Sequence, residues 1–137
     1  MILGIGSDAL DVARMEAELS KGENSFRDVV FTSEEIAYCE RKRSPARHYA
    51  ARFAAKEAVL KALPGDGQRG VNWREIEIRN QTSGRPCVIL HGAARQLAEA
   101  CAVGAIFVSL THTAELAAAT VVLESRPEAA SPKGVNR

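Results

Sequence analysis

The sequence lacks the features of a secreted or membrane-spanning protein. Its three cysteines lie far apart and form no CxxC pair, which argues against a disulfide framework and against a zinc site. The N-terminal segment has no basic region before its short apolar run, so no signal peptide is expected. No segment approaches the ~20 apolar residues of a membrane span. We therefore expect a cytoplasmic protein with no membrane partner.

An excess of charge of one sign is also missing. The 18 basic and 17 acidic residues leave a formal net charge of +1, which does not favour a nucleic-acid partner. The 137 residues, 46% of them hydrophobic, suffice for one domain with one core. Residues 125–137 contain two prolines and few apolar side chains. We predict one domain over residues 1–124 and a disordered tail over 125–137.

Local patterns predict the order β-α-α-α-β-β-α-β-β. Asp8 or Asp11 can cap the first helix, Thr32-Ser-Glu-Glu35 is a capping box for the second, and Pro45 begins a long third helix. The first strand is predicted over 2–7, and the first helix follows Asp8 or Asp11 and runs to about residue 20. The other predicted segments are 33–42, 45–63, 73–80, 87–90, 93–102, 105–111 and 116–124, although 116–119 is also compatible with a helix. Partial segregation of helices and antiparallel strands predicts an α+β fold, with an antiparallel sheet packed against a long central helix.

Two segments could carry chemistry at the ends of strands. In Gly4-Ile-Gly-Ser-Asp8, a carboxylate flanked by glycines could approach a ligand or metal closely. The plainer alternative is that Asp8 only caps the following helix. In Val108–Thr113 an apolar strand ends in hydroxyl groups and His112, which could be either structural or catalytic.

The long helix carries a third candidate segment. Glu57 and Lys61 are four residues apart, and the plainer alternative is a surface ion pair of about 0.3–0.5 kcal/mol. The pair nevertheless lies among apolar residues, where charges are either costly or functional. The basic run that precedes it is either a solvated face or a phosphate-binding surface, and it comprises Arg41, Lys42, Arg43, Arg47, His48 and Arg52.

These segments together suggest one site. Asp8 and Glu57 could share Mg²⁺, which takes one or two protein carboxylates and completes its shell with water and phosphates. Lys61 could reach the same phosphates, and the basic run could hold a more distant one. The substrate would then carry a diphosphate and a further phosphate. Coenzyme A fits this description, but the spacing alone does not select it.

The sequence resembles the small bacterial holo-acyl-carrier-protein synthases of the 4′-phosphopantetheinyl transferase superfamily, from Met1 to about Glu124. The motifs that carry the resemblance are GIGSD, FTSEEIAYCE, RFAAKEAVLKAL, IEIRNQTSGRP and VSLTHTAELAAATVV. It implies the fold of that superfamily and transfer of 4′-phosphopantetheine from coenzyme A to a serine of apo-acyl carrier protein, in support of fatty acid biosynthesis. It also implies a homotrimer with active sites at subunit interfaces. Alanine-rich faces in segments 93–98 and 117–119 would suit close subunit contact, and the plainer alternative, which the residues alone favour, is packing within the subunit.

The resemblance also implies roles for individual residues. Catalysis and Mg²⁺ binding fall to Asp8 and Glu57, with Lys61 beside the reacting diphosphate. The proton acceptor is either Glu57 or a metal-bound water that it holds. The coenzyme A pocket would be lined by Arg52, Phe53, Lys61, Gly65, His112 and Thr113. The acyl carrier protein would contact Arg14, Phe26 and Arg27. The loop after Gly65 departs from the family pattern, because it carries an acidic residue, Asp66.

Two alternatives of different classes are open at this point. One is another Mg²⁺-dependent phosphotransferase or nucleotide hydrolase, although no Walker motif is present. The other is a carrier-protein or nucleotide-binding module without turnover, against which the intact Asp8, Glu57 and Lys61 argue. Transfer of phosphopantetheine to an apo carrier protein would distinguish all three.

Overall fold

Five strands and five α-helices form the fold of residues 1–21, 25–65 and 70–128, which are those that this computed structural model describes. The elements are β1 (Ile2–Asp11), α1 (Val12–Ser20), α2 (Ser25–Val30), α3 (Ser33–Glu40), α4 (Pro45–Ala62), a 3₁₀ turn (Trp73–Glu75), β2 (Ile76–Asn80), β3 (Pro86–Leu90), α5 (Gly92–Ala100), β4 (Val103–His112) and β5 (Leu116–Ser125). Apart from the short α2 and the 3₁₀ turn, this is the predicted order.

The strands form two antiparallel sheets. One has the order β1-β5-β4, and the other consists of β2 and β3. The predicted hairpin of β4 and β5 is confirmed, with Val108 opposite Val121, and the alternative of a helix at 116–119 is wrong. The long α4 packs against β1 and β5, and its buried residues form the core with both sheets. The predicted α+β architecture around a central helix is therefore confirmed.

Strand β1 is longer than predicted. Asp8 and Leu10 continue the ladder beyond Ser7, since they lie opposite Ala119 and Ala117 of β5. Asp11 occupies the N-cap position of α1 but its side chain makes no capping hydrogen bond. Asp8 therefore does not cap a helix, because it lies within a strand.

The glycines of β1 serve the packing of α4. A methyl group on Gly6 would lie 3.0 Å from both the Ala58 carbonyl carbon and the Ala62 nitrogen, and closer still to the Ala58 oxygen. Gly4 meets the main chain of Ala62 in the same way. The sequence suggested that these glycines could let a carboxylate approach a ligand, and the structure shows that they let the backbone of a helix approach the strand. This close approach brings β1 and α4 together at the level of the candidate site.

The predicted ends of α3 and α4 are confirmed in part. In the capping box, the Glu35 amide donates to Thr32 Oγ1 (3.2 Å) and the Thr32 amide donates to Glu35 Oε1 (2.8 Å). Helix α3 ends at Glu40, slightly before the predicted Lys42. Helix α4 begins at Pro45 as predicted, although Ser44 makes no side-chain cap bond.

Two expectations about β2 and α5 are wrong. The alternation of apolar and polar residues in 73–80 predicts a half-buried strand with Glu77 on its exposed face. Glu77 is instead buried, because His91, Arg79 and Thr32 supply it with hydrogen-bonding and charged partners. A glycine just after a helical segment is typical of a helix end, which predicts that Gly104 closes the helix over 93–102, but α5 already ends at Ala100. The residue with positive φ after it is Ala102 (φ 63°).

The chain end is described only in part. Strand β5 includes Ser125, one residue beyond the predicted domain boundary, and the Arg126 amide donates to Ala102 O at 2.8 Å. Residues 129–137 lie outside the described residues, so the disordered tail stays a prediction, and residues 66–69 of the predicted loop, including Asp66, also lie outside them. All three cysteines are free thiols. In the described part of the chain, every helix is too short or too polar to span a membrane.

Candidate active site

The crossing of β1 and α4 brings Lys61 onto Asp8. Lys61 Nζ donates to Asp8 Oδ1 at 2.9 Å and to Ser7 O at 3.1 Å. The Asp8 side chain is 17% exposed and that of Lys61 is 53% exposed, so the salt bridge opens to solvent on the lysine side. Lys61 therefore forms its ion pair with the strand, and not with Glu57 as the i,i+4 spacing suggested.

Glu57 lies one turn before Lys61 on α4 and is affected by the same charges. Partial burial and the neighbouring Asp8 carboxylate raise its pKa, while Lys61 and Arg14 act in the opposite direction. The hydrogen bond and charge of Asp8 raise the pKa of Lys61. Asp8 and Glu57 are thus close enough to repel each other, and each favours a cation between them.

This donor set fits a magnesium ion held by two carboxylates. The described residues contain no group of three or more histidine, cysteine, aspartate or glutamate side chains that could bind a metal. A complete protein cage, as many zinc and calcium sites have, is therefore not formed by these residues. Mg²⁺ instead retains waters and takes substrate phosphates beside one or two carboxylates. Asp8 and Glu57 are the residues that could hold it.

A cleft of about 160 Å³ lies beside Glu57, and we call it the Glu57 cleft. It is lined by Leu10, Arg14, Met15, Glu18, Phe26, Phe53 and Glu57. The Phe53 ring packs edge-on against Phe26, with 5.6 Å between centroids, and tilts against Trp73 at 5.0 Å. Two of the three predicted carrier-contact residues, Arg14 and Phe26, therefore share a cleft with a predicted catalytic residue. Arg27 follows Phe26 on α2, and its Nε lies 3.6 Å from Asp28.

A second cleft of about 400 Å³, the Arg52 cleft, contains the predicted coenzyme A residues Arg52 and His112. Its lining residues are Tyr38, His48, Ala51, Arg52, Asn80, Arg85, Pro86, Val108, Ser109, Leu110 and His112, among which there is no carboxylate. The His48 and His112 rings pack edge-on with 4.9 Å between centroids. Burial and His112 lower the pKa of His48 from 6.5 to about 4, so its ring is neutral at pH 7. The cleft is suited to an anion.

The predicted site residues therefore fall into two groups. Asp8, Glu57 and Lys61 lie at the crossing of β1 and α4, with Phe53 in the adjoining cleft. Arg52 and His112 line the other cleft, and the two clefts share no lining residue. Arg52 and Phe53 are adjacent in sequence but point to different clefts, because consecutive helix residues project in different directions.

Two of the predicted contact residues have local structural roles. Thr113 Oγ1 accepts hydrogen bonds from the amides of Glu115 (3.2 Å) and Leu116 (3.1 Å), so its side chain shapes the turn between β4 and β5. Gly65 follows α4 with φ +75°, a conformation that favours glycine. Its place in the predicted pocket stays a prediction, because the loop beyond it lies outside the described residues.

Sequence reasoning missed most of the Arg52 cleft. The sequence indicates His48 only as part of the basic run, and it does not indicate Tyr38, Asn80 or Arg85 as site residues. Asn80 and Arg85 flank the β2–β3 turn, and Tyr38 is on α3, so the cleft joins segments far apart in sequence. Two signals in the sequence point to these residues. They are the polar turn between Asn80 and Arg85, and the aromatic Tyr38 just before the basic run.

Comparison with known proteins gives the family. The sequence profile of the 4′-phosphopantetheinyl transferase superfamily matches residues 4–121. A holo-[acyl-carrier-protein] synthase of Geobacter sp. (strain M21) is 46% identical over 125 residues, which cover 90% of this chain and 99% of the relative.

Solved structures agree with this match. The acyl carrier protein synthase of Plasmodium yoelii with ADP bound superposes with a TM-score of 0.81 at 32% identity, covering 93% of this chain and 98% of that one. A holo-(acyl-carrier-protein) synthase from Bacillus anthracis in complex with CoA (3′,5′-ADP) gives 0.74 at 32% identity, covering 92% and 99%. The fold, the motifs and these similarities agree, and the chain belongs to the 4′-phosphopantetheinyl transferase superfamily.

Proposed function

We propose that this chain transfers the 4′-phosphopantetheine group of coenzyme A to a serine of apo-acyl carrier protein, giving holo-acyl carrier protein and 3′,5′-ADP. The observation that carries the proposal is the cluster of Asp8, Glu57 and Lys61 where β1 crosses α4. Further support comes from relatives named holo-[acyl-carrier-protein] synthase and from the family member in complex with CoA.

The donor diphosphate binds beside Lys61. The Lys61 side chain is about half exposed and bonded to Asp8, so its ammonium group is available to a phosphate oxygen at the mouth of the site. Preorganised positive charge of this kind stabilises the charge that develops on a diphosphate leaving group. Mg²⁺ held by Asp8 and Glu57 would supply further charge neutralisation on the same phosphates.

Glu57 accepts the proton of the carrier serine, either directly or through one water. Burial and Asp8 raise its pKa, and a higher pKa makes a carboxylate a stronger base. The serine oxygen attacks the β-phosphorus of coenzyme A, and the bond to the oxygen of 3′,5′-ADP breaks. The Glu57 cleft also contains Arg14 and Phe26. A carrier protein docked on these two residues would therefore have its serine close to Glu57.

The carrier protein docks on Arg14, Phe26 and Arg27. Arg14 is exposed at the edge of the Glu57 cleft, where it can meet an acidic partner. Phe26 offers an apolar contact beside it. The acceptor would be the carrier protein of fatty acid biosynthesis, and the reaction would take place in the cytoplasm.

The Arg52 cleft holds the other phosphate of coenzyme A, which is on the ribose. Arg52, Arg85 and His112 contribute cationic or hydrogen-bonding groups with no acidic residue among the lining side chains. This explains why the site has two charged centres, one for the diphosphate and one for a phosphate at the far end of the donor.

The active enzyme is a homotrimer with sites at its subunit interfaces. The exposed face of the three-stranded sheet carries the apolar row Ile5, Val122 and Phe107, which are paired across the strands. Ile5 is 66% exposed and Phe107 is 54% exposed, and contiguous apolar surface of this kind favours a partner. Within one subunit the Arg52 cleft and the Glu57 cleft are separate. In the trimer, a neighbouring copy could place its Arg52 cleft beside the Glu57 cleft of the first subunit.

The alanine-rich faces do not support this assembly as expected. Ala94, Ala98, Ala117 and Ala119 are buried within the subunit core and are not available for subunit contact. The apolar row on the sheet is therefore the better candidate for the interface.

Mass spectrometry of an apo-acyl carrier protein tests the proposed function. Incubation with the chain, coenzyme A and Mg²⁺ should add the mass of one phosphopantetheine and release 3′,5′-ADP, and the Asp8→Asn variant should reduce the rate strongly. Release of nucleotide without modification of the carrier would favour a hydrolase. Binding of coenzyme A with no product would favour a module without turnover.

A further inference from the structure

Tyr38 of α3 lies at the centre of a group of cationic side chains. Its ring centroid is 3.8 Å from Arg52 Cζ, 4.5 Å from Lys42 Nζ and 5.9 Å from Arg41 Cζ. The ring also meets His48 edge-on at 5.9 Å. An aromatic face attracts such cations, so the ring offsets the repulsion that they exert on one another.

Arg52 has few polar partners besides its contact with this ring. It is 2% exposed, and none of the salt bridges found among the described residues includes it. Its Nη2 donates to Asn80 Oδ1 at 2.5 Å, and its buried Nε has no hydrogen-bond partner among the described residues. The guanidinium is therefore held by the side-chain amide of Asn80 and the ring of Tyr38. Its Nε–H group is still available to donate a hydrogen bond.

A buried guanidinium without a carboxylate is costly unless an anion completes its environment. The Arg52 cleft is where such an anion would enter, because Arg52, His112 and Arg85 line it together. The planar guanidinium recognises a phosphate only in the correct orientation. Stacking against a flat ring restricts that orientation before the ligand arrives, which lowers the entropy lost on binding.

We propose that Tyr38 is a positioning residue that stacks on Arg52 and thereby sets the selectivity of the Arg52 cleft for the ribose phosphate of the donor. This inference rests on the proposed function, since it names how one end of coenzyme A is recognised. Tyr38 acts through Arg52 and takes no part in the reaction at the diphosphate. Its loss should therefore weaken donor binding and leave turnover of the bound donor intact.

The test compares coenzyme A with 3′-dephospho-coenzyme A, which lacks the ribose phosphate, as donors in the carrier-modification assay. Wild type should have a lower KM for coenzyme A. Tyr38→Leu should raise that KM about tenfold, which corresponds to about 1.4 kcal/mol, with kcat unchanged and the KM for the dephospho donor unaffected. Tyr38→Phe keeps the ring, lacks only the hydroxyl group and should behave like wild type.

A double-mutant cycle shows whether Tyr38 acts through Arg52. In an Arg52→Gln background, Tyr38→Leu should have no further effect on the KM for coenzyme A. Melting temperatures are measured for each variant, and Tyr38→Met replaces Tyr38→Leu if the latter does not fold.

Several results would overturn this inference alone. They are equal wild-type KM values for the two donors, equal effects of Tyr38→Leu on both donors, a loss in Tyr38→Phe as large as in Tyr38→Leu, or additive effects in the cycle. Failure of the proposed function looks different, since wild type would then modify no carrier protein with either donor.

Discussion

Replacing Gly6 by alanine tests whether the active site depends on the contact between β1 and α4. The new methyl group would lie 3.0 Å from the Ala58 carbonyl carbon and the Ala62 nitrogen, whereas ordinary contacts begin at 3.4 Å. Its nearest neighbour is the main-chain oxygen of Ala58, which cannot rotate away. The strand and the helix must therefore move apart, at a cost of about 1–3 kcal/mol for an overpacked core.

The displacement should affect catalysis as well as stability. Asp8 lies two residues after Gly6 on the same face of β1, and its bond to Lys61 spans the widened contact at 2.9 Å. A misplacement of about 1 Å can reduce a rate about 10²-fold. We expect Gly6→Ala to lower kcat/KM by about 10², or about 2.7 kcal/mol of transition-state stabilisation.

The assay is carrier modification well below the melting temperature, with thermal unfolding measured on the same samples. Ala100→Ser is the control, because it adds one atom at an exposed position of α5 outside the sheet face proposed as the interface, and it should keep wild-type activity. Ala58→Gly combined with Gly6→Ala should not restore activity, since the obstructing atom belongs to the main chain. Wild-type turnover and melting temperature in Gly6→Ala would refute the reasoning.

The remaining predictions address the metal, the partner, the assembly and the pH dependence of stability. Glu57→Gln should lower kcat/KM by at least ~10². The circular dichroism spectrum should stay unchanged, and stability at neutral pH should not fall, because burial already disfavours the charged form of Glu57. A variant with more than half of wild-type activity would contradict the two-carboxylate site. Arg14→Glu should raise the KM for carrier protein far more than that for coenzyme A, and equal effects would mean that the carrier docks elsewhere. Light scattering should give three times the 14.7 kDa subunit mass, and Phe107→Glu should reduce it; a monomer in wild type would refute the trimer. Since burial and His112 lower the pKa of His48 from 6.5 to about 4, the unfolded chain binds a proton that the folded chain does not in this interval, and stability should fall as the pH drops through it. The melting temperature of His48→Asn should fall less over the same pH range, and an identical fall would show that His48 has no part in it.

Much of the fold followed from local signals, because those signals act over a few residues. The capping box at Thr32, the proline that begins α4 and the alternating apolar residues of β4 each specify an element without help from distant segments. The family resemblance added the expected roles of Asp8, Glu57 and Lys61, and the structure brings these three residues together in one cluster.

The features that local signals do not predict are those where a distant partner decides the environment of a side chain. Lys56 is fully buried because its ammonium group meets Glu35 at 2.8 Å and the carbonyl oxygens of Trp73 and Ile76. Glu77 is buried for a similar reason, with Thr32 of another segment as a donor. Neither set of partners can be found from residue spacing along a single element, and the same holds for the stacking of Arg52 on Tyr38.

The pairing of β1 with β5 has a consequence for how the protein becomes active during synthesis. Within the three-stranded sheet, β1 is an edge strand whose neighbour is β5, so Asp8 lies opposite Ala119, near the other end of the described chain. Contacts between residues this distant in sequence form slowly, because a long loop must close first. A nascent chain still lacking β5 would carry α4, with Glu57 and Lys61, but β1 would have no strand to pair with. Strand β1 can therefore take its final position only after the later strand β5 has been made, and the cluster of Asp8, Glu57 and Lys61 is completed late in synthesis.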